Sequence, residues 1–118
     1  MNRACGFIVA FVFASSAHFA AAQQSPAGVP ELMKSAVIPA SDAVFAVGKA
    51  APKTDGEWAA VARAAARLLD AAKKLETQAP ASGAANWTRF SRTMAEAAAA
   101  AGKAAQSKNA DAVLDAGD

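Results

Sequence analysis

The sequence predicts an all-α chain of four helices. Three observations carry that prediction. Alanine dominates after Ala27, and alanine is the strongest helix former because it loses no side-chain rotamer entropy on folding. No β-branched alternation of the kind a half-buried strand requires is present. Apolar residues instead recur every three to four positions, in stretches separated by short segments rich in Pro, Gly and Ser.

The first residues stand apart. Met1-Asn2-Arg3 is a short basic start, and "ACGFIVAFVFASSAHFA" is an apolar run too short and too weakly flanked to span a membrane. It leads into Ala20-Ala21-Ala22, a small-residue cleavage site ahead of Gln23. Residues 1–22 are therefore expected to be a secretory signal peptide, which makes a periplasmic location the expectation for the mature chain. Residues 23–29 read as a flexible lead-in, and residues 30–118 as one helical domain.

Removing residues 1–22 removes Cys5 and His18, the single cysteine and single histidine of the 118-residue sequence. What remains has no thiolate and no imidazole. The usual zinc ligand sets, Cys or His nucleophiles and histidine acid–base chemistry fall away, and an enzyme is not expected. The soft donors left are the thioethers of Met33 and Met94. The sequence has 12 Lys and Arg against 10 Asp and Glu, and loss of Arg3 leaves 11 against 10. The cations are interspersed with acids, whereas nucleic-acid binding needs a concentrated basic face; no nucleic-acid partner is expected. No later apolar run is long enough for membrane insertion.

The first helix is expected over about 30–47. Pro30 suits a first turn, where its missing N–H has no intrahelical partner to lose. Leu32, Met33, Ala36, Val37, Ala43, Val44 and Val47 form its apolar stripe. Pro39 is expected to kink the helix or to divide it, with Ser41 or Asp42 opening a second segment. Gly48 is a natural stop. Thr54 and Glu57 have the spacing of a capping box and open the second helix, which runs to about Thr77. Its stripe is Trp58, Val61, Ala62, Ala65, Leu68, Leu69, Ala72 and Leu75, and Asp70 is placed to pair with Lys74 on the exposed side. After the loop "QAPASGAAN", Asn86 is expected to cap a third helix to about Ser107. Its stripe is Trp87, Phe90, Met94, Ala97, Ala98 and Ala101, with Arg92 placed to pair with Glu96. Trp58 and Trp87 read as packing anchors and Met94 as a core residue. Asn109 then caps a fourth helix of about eight residues, roughly 12 Å. A helix that short is marginal alone, and Asp115 and Asp118 would crowd its negative end. The expectation is a fourth helix short or truncated.

Three stretches, "ELMKSAVIPASDAVFAVG", "TDGEWAAVARAAARLLDAAKKL" and "NWTRFSRTMAEAAAAAGKAAQSKNADAVLDAGD", together resemble the periplasmic class II c-type cytochromes, the cytochrome c-prime type. The resemblance covers essentially all of the chain after the signal peptide. It rests on helix order, an early methionine in the first helix, the D-x-E-W helix start and the K-N-A-D-A start of the last helix. It implies an antiparallel four-helix bundle that carries haem c for electron transfer to a redox partner the sequence does not identify. The family attaches haem through C-x-x-C-H on its fourth helix, and no such motif occurs in this sequence. Of the family's site residues, Met33 matches the first-helix methionine that supplies a distal ligand to the haem iron, with Leu32, Ala36 and Val37 as lining on the same face. The competing expectation is a haemless helical binding or scaffold module. Its open face near those four residues would take another helix, including one from a second copy in a homodimer.

Overall fold

A computed structural model describes residues 28–118; the expected signal peptide and nearly all of the lead-in lie outside them. Among the described residues every regular element is helical, and there is no strand. The first helix is composite. It comprises α1 (Val29–Leu32), a π-helical segment (Met33–Val37), α2 (Ile38–Phe45) and a closing 3₁₀ turn (Ala46–Gly48). The second, third and fourth helices are α3 (Asp55–Glu76), α4 (Ala84–Gln106) and α5 (Ala110–Asp115). None is long and apolar enough to cross a membrane.

Pro39 does not divide the first helix. Proline lacks an N–H and its ring presses on the carbonyl four residues back. The chain widens ahead of it instead: the Ile38 N–H donates to the Met33 carbonyl, a bond spanning five residues, and the helix continues through Ser41 and Asp42 without a new start.

The second helix starts as its local sequence dictates. The Glu57 amide donates to Thr54 Oγ1 at 3.2 Å, and Glu57 Oε2 accepts from the amides of Thr54 at 3.0 Å and Lys53 at 2.6 Å. These amide donors hold the Glu57 carboxyl below its ordinary range. The third helix departs from expectation. It starts at Ala84, with Gly83 in the left-handed conformation (φ 79°) at its cap, so Asn86 lies inside the first turn. The indole N–H of Trp87 donates to the Leu75 carbonyl near the end of α3, and this tertiary tie fixes the turn ahead of Asn86. Asn109 does cap α5, accepting from the Ala112 amide at 3.0 Å.

α3 is the hub. The first helix packs on one side of it and α4 on another, while α5 packs on α4 and on the 3₁₀ turn. Two apolar clusters form along this arrangement. One gathers Val44, Val47, Trp58, Val61, Ala65, Ala101, Ala105 and Val113 at the α5 end. The other gathers Val37, Ala71 and Leu75 at the opposite end, with Leu32, Met33, Ala36, Leu68, Trp87 and Met94 packed against it. Alanine at so many seam positions lets the helices approach closely but contributes little apolar area per residue.

Neither expected ion pair within a single helix forms, and the two pairs among the described residues join different segments of the chain. Arg92 reaches Glu76 on α3 at 2.7 Å instead of Glu96, and Lys108 reaches Asp55 at 2.6 Å, while Asp70 and Lys74 form no pair. The hydrogen bond from Lys108 and its positive charge lower the Asp55 carboxyl below its ordinary range.

Candidate functional site: an open apolar groove

The first helix and α4 flank α3, and a groove of about 440 Å³ opens between them. Val37, Ser41, Val44 and Phe45 form one wall. Phe90, Thr93, Met94, Ala97, Ala98 and Ala101 form the other, and Leu68 of α3 lies in the floor. Val113, Ala116 and Gly117 close one end, so the groove continues the line of α5. Along α4 it runs from Phe90 to Ala101, roughly 16 Å at the helical rise.

The lining is apolar except for two hydroxyls. That of Thr93 is committed to the Arg89 carbonyl at 3.1 Å, which leaves Ser41 as the polar group of the opposite wall. Ile38, Phe45 and Phe90 are the large apolar side chains left exposed among the described residues, and the two phenylalanines stand in the groove walls. At the mouth, the Arg89 guanidinium sits 4.9 Å from the centre of the Phe90 ring. Arg89 has no carboxylate within 4.0 Å among the described residues.

Of the four residues singled out by the resemblance, one lines this groove. Val37 stands in its wall. Leu32 and Met33 pack into the end cluster with Leu75 and Trp87. Ala36 packs there too, and also faces a separate, smaller groove between the first helix and α3, beside Arg63 and Arg67. The open face is therefore centred away from Leu32, Met33 and Ala36. The methionine in the groove lining is Met94, which packs against the end cluster as its place in the α4 stripe led one to expect and also stands in the groove wall. Phe45, Ser41 and Thr93 escaped the sequence reading. Phe45 alone carried a signal, as a large apolar residue one position off the stripe of its helix.

A haem makes two separable demands on these residues. Its macrocycle needs an apolar slot, and the groove has that character. Its covalent attachment needs two thiols, and its iron a proximal imidazole, with a thioether serving only as the second, distal ligand. Residues 28–118 contain no Cys, His or Tyr, and no cluster of His, Cys, Asp and Glu suited to a metal occurs among them. The described residues thus offer an apolar groove and carry none of the thiols or imidazoles that attach haem.

Comparison with described protein families, with curated proteins and with solved structures finds no match to this chain.

Proposed function

We propose that this chain is the body of a periplasmic electron carrier of the class II c-type cytochrome kind, an antiparallel helical bundle holding a haem and not an enzyme. The observation that supports this reading is the groove. It is an apolar slot walled by the first and third helices, in the low-dielectric setting that tunes the potential of a buried redox group. The sequence resemblance supplies the identity of that group. The reading requires two thiols and an imidazole that residues 28–118 do not carry, so it stands or falls on whether the cellular product contains haem. The protein purified from the periplasm of its source cell is expected to show a Soret band that survives acid–acetone extraction, as covalent haem does. A folded, helical product without that band overturns the reading.

The donor set favours a second reading, a haemless periplasmic helical module that uses the same groove to bind an apolar partner. That reading predicts a folded protein with no Soret absorption even after expression alongside a cytochrome maturation apparatus.

A further inference from the structure

The groove is polarised along its length. Its closed end is made by Val113, Ala116 and Gly117 and is apolar, since Asp115 faces a separate groove beside Lys103. Its other end is marked by Phe90, with the Arg89 guanidinium over the ring and no carboxylate paired to it among the described residues. An elongated apolar channel of about 440 Å³ with a spare cation beside one end suits one kind of small molecule. That molecule is apolar along its length and anionic at one tip.

We propose that the groove binds a medium-chain fatty acid, its acyl chain lying between Phe45 and Met94 and its carboxylate at Arg89. Burial of the chain supplies most of the affinity, because each methylene leaves water for a wall of alanine, valine and phenylalanine side chains. The cation sets the orientation. A carboxylate at Arg89 gains a charge-assisted hydrogen bond, whereas the reversed pose buries it among Val113, Ala116 and Gly117, where no cation lines the groove. Because Arg89 is exposed, the ion pair is screened, and its contribution is a modest factor in affinity. The inference rests on the haemless reading. A Soret band on the purified protein removes that reading, while failure of binding in a haem-free sample removes only the ligand.

The test is titration calorimetry of the haem-free full-length product with two probes, decanoate and decanol, each below its aggregation limit. Both are expected to bind saturably at one site. Arg89→Gln is expected to weaken decanoate by roughly three- to tenfold and to leave decanol within about twofold, and added salt should weaken decanoate alone. Ala97→Phe, which fills the middle of the groove, is expected to abolish binding of both probes while Arg89→Gln reports on the charge in an unaltered fold. No saturable binding of decanoate overturns the proposal. So does equal weakening of both probes by Arg89→Gln, or retention of binding by Ala97→Phe. Sizing of the same samples tests the other occupant, and a dimer that excludes decanoate also overturns it.

Discussion

Val113 is the single large side chain of α5 that is essentially out of water, at 1% exposure, and it packs with Val44, Val47, Trp58 and Ala101. Val113→Ala removes two methyl-sized groups. At about 0.8 kcal/mol per buried methylene the transfer loss is roughly 1.6 kcal/mol, and the void left among stiff neighbours brings the total to about 2 kcal/mol. In a domain of this size that lowers Tm by roughly 8–16 °C. The assay is urea unfolding followed by far-ultraviolet circular dichroism, with Asp115→Asn, exposed on the same helix, as the control expected within about 0.5 kcal/mol. The result bears on function, because α5 closes one end of the groove. If Val113→Ala costs less than about 0.5 kcal/mol at unchanged m-value, α5 is not docked in solution and the closed end of the groove does not exist.

Other consequences are checked by similar means. Thr54→Ala removes the acceptor for the Glu57 amide and is expected to cost about 1 kcal/mol in urea midpoint analysis, with Thr54→Ser close to neutral. Trp87→Phe removes the indole bond to Leu75 while keeping most of the apolar area, and should cost about 1 kcal/mol and speed amide exchange in the first turn of α4. Asp55 and Glu57 are both held below their ordinary pKa in the folded chain. Their contribution is therefore complete above the ordinary carboxylate range and is lost as pH falls through the lowered folded values. Urea midpoints should fall on acidification, and Glu57→Gln should flatten that fall; an unchanged profile in Glu57→Gln would remove the capping carboxylate as its source.

The local features of this chain were legible because their causes are local. A capping box is a matter of spacing between Thr54 and Glu57, and the Asn109 cap is a matter of one side chain three residues from the amide it accepts. Helix positions follow from alanine content and from apolar recurrence at helical spacing. Asn86 failed as a cap because the start of α4 is set at a distance, by the Trp87 indole on the Leu75 carbonyl. Arg92 failed as a partner for Glu96 for the same reason, since Glu76 on the neighbouring helix lies within reach.

The sequence by itself determined that the chain is helical, where the helices lie, and that residues 28–118 carry no thiol or imidazole. The tertiary structure decided which apolar residues meet one another and which face the open groove. Periodicity assigns a residue to a face of its own helix but does not say what that face meets. Met33 and Met94 were both apolar positions on helical stripes, and packing gives only Met94 a place in the groove. The π segment takes one residue more per turn than an α-helix would, so residues ahead of it are turned away from the register that α periodicity extrapolates. Met33 and Met94 both pack against the end cluster, and Met94 alone of the two also stands in the groove wall, because a helix's rotation is set by the neighbours it packs against and not by its own sequence alone.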